Sequence, residues 1–103
     1  MAKVHFEGGA GHLTAYLAGE IDHHGAALLR EEIDARTAAC GAEWLGLDFG
    51  GVSFMDSSGV GLILGRQRRM EMSGGVLWVQ NPPENVKKML KIARVPYREK
   101  EKV

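Results

Sequence analysis

One cysteine, three prolines and no apolar run near the ~18–20 residues a membrane-spanning helix needs set the outer limits on this 103-residue chain. With Cys40 alone, no intrachain disulfide can form and no cysteine-based zinc site can be assembled. The opening segment Met1-Ala2-Lys3-Val4-His5-Phe6-Glu7 has no apolar stretch of the kind a secretory signal carries, so the expected location is the cytoplasm. Two enzyme signatures are also missing. No G-x-S-x-G nucleophile elbow occurs. No Gly-Lys-Ser/Thr phosphate loop occurs either, and Gly59-Val60-Gly61 reaches its next glycine, Gly65, one residue too late for G-x-G-x-x-G. The composition is that of an ordinary globular protein, and the length allows one domain, expected to span 1–103, with no room for a separate catalytic unit.

Net charge is zero, but its distribution is uneven. Residues 1–50 hold eight acids and three bases, a balance of −5, and residues 51–103 hold five acids and ten bases, a balance of +5. Such polarity suits recognition of a charged partner, and equally two solvated faces.

Val4 and Phe6 alternate with polar residues, as do Leu13, Ala15 and Leu17, which marks two strands around a turn at Gly8-Gly9-Ala10-Gly11. Asp22 is placed to cap a helix from His23 to about Cys40, with Ala26, Leu29 and Ile33 on one face and the pairs Arg30/Asp34 and Glu32/Arg36 on wet faces. A strand follows from Trp44 to Phe49, with Val52 to Met55 continuing apolar. The next helix runs from about Ser58 to Ser73, its apolar stripe expected at Val60, Ile63, Leu64 and Gln67. Val76 to Val79 is a short strand. Pro82-Pro83 starts a helix whose apolar side is Val86, Met89, Leu90 and Ala93, and Tyr97 onward is a candidate last edge strand. Strands alternating with helices imply an α/β fold: a mixed, mostly parallel sheet of four to five strands, right-handed crossovers, and helices packed on one side.

Asp56-Ser57-Ser58-Gly59 stands at a strand-to-helix junction, where open α/β sheets meet their ligands and partners. The free N–H groups and positive dipole of a helix start stabilise an anion by ~0.3–1 kcal/mol when exposed. A phosphoserine there adds nearly two negative charges without melting its own helix. The plainer reading is a simple N-cap by Asp56 or Ser57. Gly59, Gly61 and Gly65 each cost ~1 kcal/mol in a helix relative to alanine, which points to close approach by another element or a partner, with core packing the blander cause for Gly65.

Ser53-Phe54-Met55-Asp56-Ser57-Ser58-Gly59-Val60-Gly61-Leu62-Ile63-Leu64-Gly65-Arg66 resembles the phosphorylation segment of bacterial anti-sigma factor antagonists, which belong to the STAS-domain family. Gly19-Glu20-Ile21-Asp22-His23-His24 resembles a second signature of that family, and both are similar to its sporulation branch rather than its general-stress branch. The resemblance implies a non-enzymatic switch. The unphosphorylated chain would bind an anti-sigma factor that is also a serine kinase, carrying its own ATP or ADP, and so release a sigma factor. The kinase would phosphorylate Ser57, binding would cease, and a serine phosphatase would reset the chain. Glu20, Asp22, His23, Asp56, Ser58, Gly59 and Gly61 would form the kinase interface. Phe49-Gly50-Gly51, Pro82-Pro83, the run Arg66, Arg68, Arg69 and the short C-terminus depart from the family pattern. The alternative use is a STAS domain in another, stress-signalling partner-switching complex.

Other chemistries have weaker support. His23-His24 is an adjacent pair with no third ligand in a metal spacing, so no metal site, cofactor or catalytic residue is assigned. The residues Arg66, Gln67, Arg68 and Arg69 and Lys87, Lys88, Lys91 and Arg94 read as solvated helix faces without interleaved aromatics, so no direct nucleic-acid partner is expected, no membrane contact, and a monomer. Trp44 and Trp78 read as core or rim residues.

Overall fold

The structure, a computed structural model, describes residues 1–99. The chain runs β1 (Lys3–Gly9), β2 (His12–Ile21), α1 (His23–Cys40), β3 (Trp44–Met55), α2 (Ser57–Met72), β4 (Val76–Gln80) and α3 (Glu84–Ile92). The strands form one sheet in the order β1-β2-β3-β4. β1 pairs antiparallel with β2, and β2, β3 and β4 run parallel. This is the α/β architecture the alternation predicts. The expected fifth strand is reduced to one parallel bridge, Gln80 to Arg98, and its continuation beyond Glu99 lies outside the described residues.

The period-two pattern sorts the sheet into two faces. Leu13, Ala15 and Leu17 of β2 and Leu45, Leu47 and Phe49 of β3 are buried beneath the helices with Leu29, Ile33, Ile63, Val86 and Leu90. The opposite face carries His12, Trp44 and Trp78, whose rings lie 5.5–6.3 Å apart, and the guanidinium of Arg98 sits over Trp78. Both tryptophans are thus rim residues of the sheet's helix-free face.

β3 continues through Gly50-Gly51 as a single twelve-residue strand. Tyr16 pairs with Asp48 and Ala18 with Gly51, so Leu17 alone stands opposite Phe49 and Gly50, which is a β-bulge. A Cβ on Gly50 would lie 2.6 Å from the Asn81 side-chain nitrogen, and one on Gly51 3.0 Å from the Leu17 oxygen. A side chain at either glycine would crowd these neighbours of the bulge.

Two expectations about the helices need correction. The buried face of α2 is Gly59, Leu62, Ile63, Arg66 and Met70, while Leu64 is 48% exposed and Gln67 only half-buried. The stripe is rotated because α2 packs on α1 as well as on β3 and β4. Arg66 is therefore not on a solvated face. It is 7% exposed and its Nε lies 2.8 Å from Asp34 Oδ1, so Asp34 is turned toward α2 rather than held in a wet-face pair with Arg30.

Candidate functional site

Parallel pairing of β2 with β3 dictates the geometry of the site. Ile21 and Met55 are register partners at the strands' C-terminal ends, and an aspartate follows each. Asp22 caps α1, its carboxylate accepting from Gly25 N at 2.8 Å. Asp56 caps α2, accepting from Ser58 N at 2.8 Å. The caps share one backbone conformation, φ −99°, ψ −169° at Asp22 and φ −101°, ψ −171° at Asp56. They are also joined, because the Asp56 N–H donates to the Ile21 carbonyl at 3.1 Å. The positive ends of two helices thus emerge side by side.

Ser57 is the first residue of α2 and is exposed; Glu20, Asp22, His23 and Gly61 are exposed around it, and Asp56 and Ser58 are half-buried. The two motifs of the sequence meet on one surface. Gly59 does not share it. It is buried, and a Cβ there would meet Met55 Cγ at 2.2 Å, so this glycine serves packing of α2 on β3. Gly61 and Gly65 are the reverse case, with nothing within 4 Å of an added Cβ, so the core-packing reading of Gly65 fails. The exposed residues Ser57, Gly61, Leu64 and Arg68 follow one another at intervals of four, three and four along α2, one outward helical face. Phe54, 48% exposed, adds an apolar group to the strand end beside the site.

Open space at Gly61 and Gly65 has a measurable consequence. Gly61→Ala and Gly65→Ala are each expected to raise domain stability by ~1 kcal/mol, the helix preference of alanine over glycine. Chemical denaturation checks this, and a loss of stability in either variant would show an unrecognised contact.

Sequence reasoning passed over Gly25. It is buried in the first turn of α1, where a Cβ would lie 2.8 Å from the Glu20 carbonyl oxygen and 2.9 Å from Ala2 Cβ. Its only signal was a glycine three residues after a capping aspartate. Between α1 and α2 lies a groove of about 320 Å³ bordered by His23, Ala26, Arg30, Ser58, Gly61 and Arg66. Among the described residues no group of three or more His, Cys, Asp or Glu side chains could hold a metal ion, and no helix is long and apolar enough to cross a membrane.

The Asp22 carboxyl is held below its ordinary value of 3.8, chiefly by the Gly25 N–H, against an opposing push from desolvation and with help from His24. A depressed carboxyl favours the folded state above its unfolded pKa, and that contribution fades as pH falls through the folded value. Carboxyl NMR should therefore find the Asp22 midpoint below the usual aspartate range. Loss of the Gly25 amide's protected shift should track it, and Asp22→Asn should abolish that titration. A midpoint at or above the ordinary value would contradict the cap.

The profile of the STAS domain matches residues 3–97, and the chain belongs to this family. It is similar to the anti-sigma F factor antagonist of Lysinibacillus sphaericus, 38% identical over 75% of this chain and 66% of that protein. It is likewise similar to the anti-sigma F factor antagonist of Paenibacillus polymyxa, 36% identical over 79% of this chain and 71% of that one. The matched stretch is thus just under two-thirds of the first relative's length. Among solved structures, that of the anti-sigma factor antagonist SpoIIAA in its unphosphorylated form superposes with a TM-score of 0.84, at 30% identity, over 97% of this chain and 90% of that one.

Proposed function

We propose that this chain is an anti-sigma factor antagonist of the SpoIIAA type, a binding module without catalytic activity. Its unphosphorylated form docks on an anti-sigma factor serine kinase and frees a sigma factor. Phosphate on Ser57, delivered from the kinase's ATP, ends that docking, and a serine phosphatase restores it. It works in the cytoplasm, where these partners and their nucleotide reside.

The observation that carries this reading is the hydrogen bond from Asp56 N–H to the Ile21 carbonyl, which joins the Asp22 loop to the Ser57 helix start. A kinase reaching the exposed Ser57 hydroxyl meets Glu20, Asp22 and His23 in the same footprint. The family membership and the names of the relatives agree with it. Of the interface expected from the sequence, Gly59 is assigned to packing and Gly61 to close approach by the partner.

The switch follows from the placement of Ser57. At the first position of a capped helix, phosphate charge meets the helix dipole and leaves the fold intact. In a closed interface the same charge would be desolvated beside Asp56, a cost of several kcal/mol. Binding is the property that changes. The direct test is displacement: added to a preformed anti-sigma–sigma complex, the unphosphorylated chain should liberate the sigma factor in proportion to its concentration. A complex that stays intact at saturating chain would refute the antagonist role.

A further inference from the structure

The groove between α1 and α2 has a chemistry that a merely structural seam does not need. His23, Arg30 and Arg66 border it, and among the described residues no acidic side chain does. Arginine is rarely buried as deeply as the 7% exposure of Arg66 without full pairing. The pairing here is incomplete. Arg66 Nε faces Asp34 Oδ1 at 2.8 Å without the alignment of a hydrogen bond, and Arg69 Nε competes for the same oxygen at 3.4 Å. Arg30 is close enough to repel Arg66 as well. Arg66 and Arg69 thus share a single carboxylate oxygen of Asp34, Arg30 adds repulsion on Arg66, and the positive charge of Arg30 and Arg66 borders an open groove next to Ser58. Burial, and then the repulsion of Arg69 and Arg30, press the Arg66 pKa downward against the pull of Asp34, as expected where a further anion would be stabilising.

We propose that this groove is an anion slot that receives an aspartate or glutamate side chain of the docking anti-sigma partner, with Arg66 as its fixed wall and Arg30 as its accessible one. The proposal rests on the function proposed above and deepens it by naming what the partner must present. The slot lies within the same footprint as the Asp22 and Ser57 loops, since His23 and Ser58 border it. A planar guanidinium held in place by a neighbouring carboxylate is suited to two-point recognition of a carboxylate. The Ser57 side chain itself does not line the groove, which favours a group brought by the partner over the chain's own phosphate.

The test uses the anti-sigma F factor of Paenibacillus polymyxa as probe, with association rate and affinity measured at several salt concentrations. Arg30→Glu is expected to bind about tenfold more weakly, mainly through slower association, with a flatter salt dependence, whereas Arg30→Lys keeps most of the affinity. A Glu→Arg or Asp→Arg substitution on the partner that rescues Arg30→Glu would identify the occupant. Arg66→Met, with its fold checked by thermal unfolding, should lose affinity as well. Wild-type binding with an unchanged Arg30→Glu affinity and salt slope would overturn the slot and leave the antagonist reading standing. An Arg30→Glu effect seen only as a shift of the phosphoserine ³¹P signal would assign the groove to the chain's own phosphate and likewise overturn it. Absence of wild-type binding would remove both.

Discussion

Ser57→Asp is expected to bind the anti-sigma partner about 100-fold more weakly than the wild-type chain, a loss of ~2.7 kcal/mol, while unfolding at nearly the wild-type temperature. The two halves of that result have separate physical sources. Stability is preserved because Ser57 is exposed at the first position of α2, where Asp56 already caps the Ser58 amide. A carboxylate there meets the favourable end of the dipole. Affinity falls because the added charge must be desolvated against the partner beside Asp56. Ser57→Ala should show the converse: affinity close to wild type, no phosphate acceptance, and a complex that persists in ATP. Isothermal titration with each variant checks the pair. Wild-type affinity in Ser57→Asp would mean that charge at this position is not the switch.

Phe49→Ala is expected to cost ~3–5 kcal/mol of folding stability, a large share of the ~5–15 kcal/mol available to a small domain. Phe49 has no exposed surface and is a large side chain in the core, on the central strand that ends at Met55, just before Asp56. The Gly50-Gly51 bulge follows immediately, so the strand cannot relax into the cavity without disturbing the backbone that closes on Asn81 and Leu17. Phe54, on the same strand but 48% exposed, is the control, since Phe54→Ala should change stability by no more than ~0.5 kcal/mol. Denaturant titration distinguishes them. Equal effects from the two substitutions would contradict the assignment of strand faces.

Much of this was legible in the residues. The alternation in Leu13, Ala15 and Leu17 and the aspartates before both helices are local signals, and local signals place elements. Helix α1 ends where the sequence put it, at Cys40, because Gly41 takes the left-handed conformation, φ +61°, that stops a helix. What could not be read depends on which neighbour an element meets. The buried stripe of α2 rotated toward Arg66 because α1 packs beside it, and nothing within α2 announces that contact. Spacing pairs Asp34 with Arg30, yet Arg66 of another helix lies against it. Gly59 and Gly61 look alike in sequence, and only the position of Met55 separates the packed glycine from the open one. The nearness of the Asp22 and Ser57 segments, 35 positions apart, follows from parallel pairing of β2 and β3. In the sequence it was carried only by the family resemblance.

Where a phosphate lands, and what it does to binding, decides whether Ser57 is the switch. With an anti-sigma serine kinase and ATP, mass spectrometry should find one phosphate per chain, on Ser57, and the modified chain should no longer co-elute with the kinase. Phosphate on Ser58 alone, or a Ser57-phosphorylated chain that remains bound, would contradict it.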